Sequence, residues 1–258
     1  MGEFLTSCSG IPYLRLGNGE PLVLIHGLGE VKEGWYNQFE LADQYELIIP
    51  DLRGHGEHQT TEGISIPNFA SDVISLLKEL GFESAHICGL SMGGAVAQEI
   101  YRQAPDMCRS LLLISTFHVF PKTLGKVLTK VRKARAETHP KSQKDHAAKV
   151  CLFSWTDEKF QSFYKFHKPN RDVYQKAMEA CLQVNNLKLL PKIKVPTLIV
   201  GGQYDSVIPV WVQLLMHKRI PHSEFVIMKN TGHVAKLEAK DPFNKVLRNF
   251  LKKHQAVS

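Results

Sequence analysis

The chain has 258 residues, enough for one large core or a core with a modest insertion. With 43% hydrophobic and 22% charged residues it has the composition of a soluble globular protein, and no apolar run approaches the ~20 residues needed to span a bilayer. The net charge of +7 is moderate, and no aromatic residues interleave with the basic ones concentrated between Pro121 and Val150, which argues against a nucleic-acid partner.

The first residues, Met1 to Ser7, carry neither a basic n-region nor a long apolar run, so no secretory leader is expected. The five cysteines are an odd number without C-x-x-C spacing, which reads as reduced thiols in a cytoplasmic protein without stable membrane association. Oligomeric state is not readable from these features.

Pro21–Ile25 and Tyr45–Ile49 are short apolar runs that read as buried strands, each ending in a polar loop. The first loop is His26-Gly-Leu-Gly29; Glu33 to Ala42, which includes Trp35, then has the composition of a helix. After the second strand comes Asp51-Leu-Arg-Gly-His-Gly56. Ile66, Phe69, Ala70, Val73, Ile74, Leu77 and Leu80 keep helical spacing, with Ser65 as the N-cap. Ser84 to Leu90 is again short and apolar, and Met92 to Ala104 is a helix closed by Pro105.

The junction between that strand and helix holds Gly89-x-Ser91-x-Gly93. A serine on a sharp strand-to-helix turn exposes its hydroxyl but crowds the backbone, so the positions two before and two after must be nearly free of side chain. Both are glycine. After a strand at Ser110–Ser115, the alternation of strand and helix stops between Thr116 and Pro191. That stretch is helix-rich and aromatic, and it is basic between Pro121 and Val150, a solvated face or an attraction for anions. It reads as an insertion that returns to the sheet at Val195.

A strand at Thr197–Val200 leads to Asp205, and one at Glu224–Met228 leads to Asn230-Thr-Gly-His233. Asp205 could also be an ordinary cap for the helix beginning at Pro209, and His233 a loop histidine. At the C-terminus Asp241 can cap a helix with Pro242 at its first position and Phe243, Val246, Leu247, Phe250 and Leu251 along its apolar stripe. The alternation as a whole predicts an α/β fold, with a mostly parallel sheet covered by helices on both faces. His55 and His58 are neighbours without a cluster of further ligands, so no metal site is predicted, and no cofactor is called for.

The order Ser91, Asp205, His233, each after its own strand, resembles that of the α/β-hydrolase superfamily, and the resemblance runs through nearly the whole chain. His26-Gly-Leu-Gly29 is similar to the family's oxyanion-hole loop, Asp51-Leu-Arg-Gly-His-Gly56 to its D-x-R-G-x-G segment, and the insertion to its helical cap. The division implied is a core of residues 1–116 and 191–258 with a cap of residues 117–190. His58 stands where the family often has a small hydroxyl residue.

On this resemblance Ser91 is the nucleophile. His233 takes its proton and later returns it, since imidazole changes charge near neutral pH. Asp205 holds the imidazole in the right tautomer. The N–H groups of Met92 and, by resemblance, Leu28 form the oxyanion hole. Trp35, Phe117, His118 and Trp155 are the candidates for substrate contact, against core or cap packing for each. The cap aromatics read as the cap's own small core.

The implied activity is hydrolysis of a small carboxylic ester or lactone through an acyl-serine, as in small esterases and enol-lactonases. Carbon–carbon bond hydrolysis, thioester hydrolysis, cofactor-free haloperoxidation, and a slow triad-bearing ligand sensor share the same fold and remain alternatives.

Overall fold

Successive residues of the central strands point into two different cores, and this decides the architecture. The computed structural model describes residues 2–120 and 142–255. Most of the basic stretch Pro121–Val150 therefore lies outside the described residues. Eight strands form one sheet: β1 (Glu3–Thr6), β2 (Pro12–Leu16), β3 (Glu20–Ile25), β4 (Tyr45–Pro50), β5 (Ala85–Leu90), β6 (Cys108–Ile114), β7 (Thr197–Gly202) and β8 (Glu224–Met228). Their order is β1-β2-β4-β3-β5-β6-β7-β8. From β4 to β8 every pairing is parallel, whereas β1–β2 and β2–β4 are antiparallel.

The parallel strands are apolar on both faces because both faces are covered. Val23, Ile25, Ile48, Ile87, Leu111, Leu113 and Ile199 pack toward α1 (Ile66–Glu79) and α2 (Met92–Gln103). Their neighbours Leu22, Leu24, Leu47, Ile49, Leu112, Leu198 and Val200 pack on the other side, with Trp35 and with Phe243, Leu247, Phe250 and Leu251 of the C-terminal helix. The α1 helix begins as its sequence demands, with the Ser65 hydroxyl accepting the Asn68 N–H.

Three local expectations are refined or corrected. The helix expected over Glu33–Ala42 is a 3₁₀ helix, Lys32–Asp43. Its buried residues Lys32, Trp35, Gln38 and Leu41 recur at every third position, the period at which 3₁₀ side chains eclipse one another. The C-terminal helix starts at Lys240, with Ala239 at the cap, so Asp241 and Pro242 lie inside its first turn. Proline is tolerated there because a first-turn N–H has no partner within the helix. Finally, the β1–β2 hairpin at the sheet edge has no counterpart in the sequence reading. β1 is short and mostly exposed and so carries no apolar alternation.

Between β6 and β7 the described residues form α3 (Ser142–Cys151), α4 (Asp157–Phe166) and α5 (Arg171–Leu182). The Thr156 hydroxyl caps α4, and the Asn170 side chain caps α5 by accepting from the N–H groups of Asp172 and Val173. The aromatic residues here do not form one core of their own. Phe163 is buried and packs with Phe160 and Tyr164 against the second face of the sheet, whereas Phe153 and Trp155 are exposed. Where the segment leaves and rejoins the sheet, Val119 bridges Asn185 and the Asn186 N–H donates to His118 O at 2.7 Å. After β7 come α6 (Val210–His217), α7 (Ala235–Glu238) and α8 (Lys240–Lys253). Among the described residues no helix is long and apolar enough to cross a membrane.

Candidate active site

Ser91 occupies the turn between β5 and α2 with φ 54° and ψ −114°. A non-glycine residue held there carries a strain of about 1–3 kcal/mol, which the surroundings must impose. They do so by hydrogen bonds on both sides: the Ser91 N–H donates to Ile114 O at 2.8 Å, and Ser91 O accepts the Thr116 hydroxyl at 2.6 Å. The glycine requirement is steric. A Cβ on Gly89 would run into the Gly93 carbonyl, and one on Gly93 into the carbonyls of Ile25 and His26.

Asp205 lies beyond the end of β7 and is buried. Its Oδ1 accepts the N–H groups of Val207 at 2.9 Å and Ile208 at 2.8 Å, so the carboxylate is clamped in one orientation. Its Oδ2 faces His233 Nδ1 at 2.9 Å. A carboxylate can only accept, so Nδ1 carries the proton and Nε2 is left with its lone pair. The His233 backbone is fixed as well: its N–H donates to Cys151 O at 2.7 Å. The Glu238 carboxylate accepts the N–H groups of Gly232, Phe153 and Ser154.

Ser91 and His233 share the wall of one cavity of about 200 Å³. Leu28 and Met92 line it beside Ser91, and Met92 is the first residue of α2, where backbone N–H groups have no partner within the helix. Phe117 and Phe120 form another part of the wall, while Phe163, Met178, Cys181 and Leu182 of α4 and α5 close it from the insertion. The arrangement brings a hydroxyl, an oriented imidazole and a helix N-terminus together in a mostly apolar enclosure. That combination suits nucleophilic attack on a carbonyl.

The other predicted contacts fall elsewhere. Trp35 is fully buried in the core on the far side of its 3₁₀ helix, with the Lys236 ammonium 4.4 Å above its ring, and is absent from the cavity wall. Trp155 is 61% exposed, its indole N–H turned back onto Leu152 O, and it too lies off the wall. His118 is buried outside the cavity, and burial pushes its pKa down to about 4. Of the four candidate contacts, Phe117 lines the cavity.

His26 is fully buried, with both nitrogens engaged: Nδ1–H donates to Gly27 O at 2.8 Å and Nε2 accepts from the Leu52 N–H at 3.1 Å. It ties the first loop to the second. Burial raises the thiols of Cys88, Cys108 and Cys181 far above the thiolate range, to about 12 for the cavity-lining Cys181. Burial thus disfavours the thiolate, the nucleophilic form, in all three. Among the described residues no cluster of three metal-ligating side chains occurs. Sequence reasoning missed Glu30, His167 and Tyr174, which also line the cavity. The only sequence signal for Glu30 was its place directly after His26-Gly-Leu-Gly29.

A family model described as alpha/beta hydrolase fold matches residues 20–240. The chain belongs to the α/β-hydrolase family. It is 30% identical to Lipase 1 of Psychrobacter immobilis, over 92% of this chain and 80% of that one. It is 26% identical to 3-oxoadipate enol-lactonase 1 of Acinetobacter baylyi, over 92% and 91% of the two chains. Among solved structures, a thermophilic esterase from Thermogutta terrifontis superposes with a TM-score of 0.87 at 26% identity, covering 99% of this chain and all of its own. Within the α/β-hydrolase family these relatives make the chain a hydrolase, and they differ among themselves in substrate.

Proposed function

We propose that this α/β-hydrolase cleaves uncharged carboxylic esters with short acyl chains through an acyl-serine, with Ser91, His233 and Asp205 as its triad. The observation that carries the proposal is the cavity wall. Beside Ser91 and His233 it is mainly aliphatic and aromatic, and its described residues include no lysine or arginine. The one carboxylate there, Glu30, is paired with Lys236 and offers an anionic substrate no cation of its own. This favours a neutral ester over a lactone that carries free carboxylates, because a buried substrate carboxylate needs a cationic partner. The cavity, about 200 Å³, is modest in size. That size favours a short acyl chain over a long one.

In the reaction, Ser91 Oγ attacks the ester carbonyl as its proton passes to His233 Nε2. The N–H groups of Leu28 and Met92 stabilise the resulting oxyanion, each such donor being worth about 3 kcal/mol in the transition state. The carbon–oxygen bond then breaks, and His233 returns the proton to the departing alkoxide. A water deprotonated by His233 releases the acid from the acyl-serine by the same route. Phe117 and Phe120 face the acyl chain. Residues 117–190 act as a cap that keeps bulk water from the intermediate. Trp35, Trp155 and His118 lie off the cavity wall and are not assigned to binding.

The test is a panel of p-nitrophenyl esters from acetate to decanoate, run with a fluorophosphonate probe and intact-mass analysis. The expected result is many turnovers per molecule, highest kcat/KM at or below hexanoate, and one adduct mapped to Ser91 and absent from Ser91→Ala. A preference for emulsified long-chain esters would instead indicate a lipase. A single slow turnover would indicate a ligand sensor.

A further inference from the structure

Two charged side chains lie within the apolar interior beneath the catalytic loops. Lys236, on α7 three residues after His233, is 1% exposed. Its ammonium donates to Gly34 O at 2.6 Å, meets Glu30 Oε2 at 3.3 Å and lies over the Trp35 ring. Glu30 Oε2 also accepts the Gly27 N–H at 3.1 Å. Burial pulls the lysine's pKa down and Glu30 opposes the shift, leaving it below its usual value. Burial pushes the Glu30 carboxyl up, but Lys236, the Gly27 N–H, His26 and His167 together hold it below the usual range. A buried ion pair is poor value as a simple fastening, since an apolar pair of the same shape serves as well or better. Its placement therefore calls for an explanation.

The pair joins the two halves of the machinery. One end is rooted beside His233. The other grips the N–H of Gly27, the residue immediately before Leu28, whose own N–H is the proposed oxyanion donor. We infer that Glu30 and Lys236 are a positioning pair that sets the oxyanion loop in register with the His233 loop, so that the Leu28 N–H points at the developing oxyanion. Neither side chain needs to touch the substrate's reacting atoms. The inference rests on the serine-esterase reading above, and it adds two residues to that site.

The decisive measurement compares an ester with its thionoester, for instance p-nitrophenyl butyrate and O-(p-nitrophenyl) thionobutyrate. Sulfur accepts hydrogen bonds weakly, so the preference for the oxygen ester reports how well the donors are aimed. The variants are Glu30→Gln, Lys236→Met and the double variant, each read by kcat, KM and Tm. The double variant leaves no unpaired charge, so it remains folded and informative where Lys236→Met alone strands a buried carboxylate.

Ester kcat should fall about ten- to hundredfold in the double variant, the scale of an ångström-level misplacement, with KM within threefold. The ester-to-thionoester ratio should fall at least tenfold. A lower Tm with ester kcat and ratio unchanged would overturn the proposal and leave the pair a structural fastening. Absence of any turnover in the unaltered protein beyond that of Ser91→Ala would overturn both readings together, and it would be seen before any Glu30 or Lys236 variant is made.

Discussion

Asp205→Asn tests the site at its most constrained point. Oδ1 of Asp205 is held by two backbone donors, the Val207 and Ile208 N–H groups, at 2.9 and 2.8 Å. An asparagine in its place must give its one carbonyl oxygen to those donors, because its NH₂ cannot accept from them. The NH₂ then takes the place of Oδ2, 2.9 Å from His233 Nδ1, and donates to it. This forces the ring proton onto Nε2, which must be unprotonated to receive the Ser91 proton. By analogy with the same substitution in serine proteases, kcat should fall by about 10⁴, or roughly 5.5 kcal/mol at ~1.4 kcal/mol per decade, with KM little changed. Because the amide keeps the clamp, Tm should move by only a few degrees. Asp205→Ala should invert part of this pattern. It leaves the two backbone donors unsatisfied, at about 1–3 kcal/mol each, and so lowers Tm much more. Steady-state kinetics and thermal melts on both variants suffice. An Asn variant within tenfold of the parent kcat would refute the assignment of Asp205.

Met178→Trp adds bulk to the α5 wall of the cavity, so kcat/KM for hexanoate should fall at least tenfold while acetate stays within threefold; equal losses on both esters would mean that Met178 does not bound the acyl site. Acid should destabilise the protein through its buried histidines. Burial holds the His55 pKa down at about 3, so its neutral form stabilises the fold above the unfolded value of ~6.5, and that contribution is lost as pH falls toward the folded value. Between pH 6.5 and pH 5 this amounts to about 2 kcal/mol. The Tm decline over that interval should be visibly smaller in His55→Gln, and an unchanged decline would refute this account of His55.

The parts of the molecule that were legible in the sequence are those with a local steric or periodic cause. Ser91 could be read because its turn tolerates only glycine on either side. The parallel strands could be read because burial on both faces leaves continuous apolar runs such as Leu111–Ile114. For Trp35 the core-packing alternative is the one the fold takes, because nearness in sequence to the first loop says nothing about direction. The three-residue spacing of Lys32, Trp35, Gln38 and Leu41 held that information and pointed inward. Trp155 is exposed among the described residues, and its aromatic ring alone says nothing of that. Glu30 and Lys236 are far apart in the chain and meet solely through the fold, and a lone lysine in a helix reads as surface until its burial is known.

The insertion between β6 and β7 makes main-chain bonds to three of the loops on which the proposed chemistry depends, those of Asp205, His233 and the first loop. Val150 O accepts the Ser206 hydroxyl next to Asp205, Cys151 O accepts the His233 N–H, and the Lys168 N–H donates to Gly29 O in the first loop. Specificity and turnover are thereby soldered together. A chimera that borrows this region from a relative to acquire a new substrate range would also change the scaffolding of the nucleophile's partners. Directed evolution should advance faster by substituting inward-facing side chains on α4 and α5 than by exchanging the whole region. In any graft, the short strip from Val150 to Ser154 is the part to leave in place.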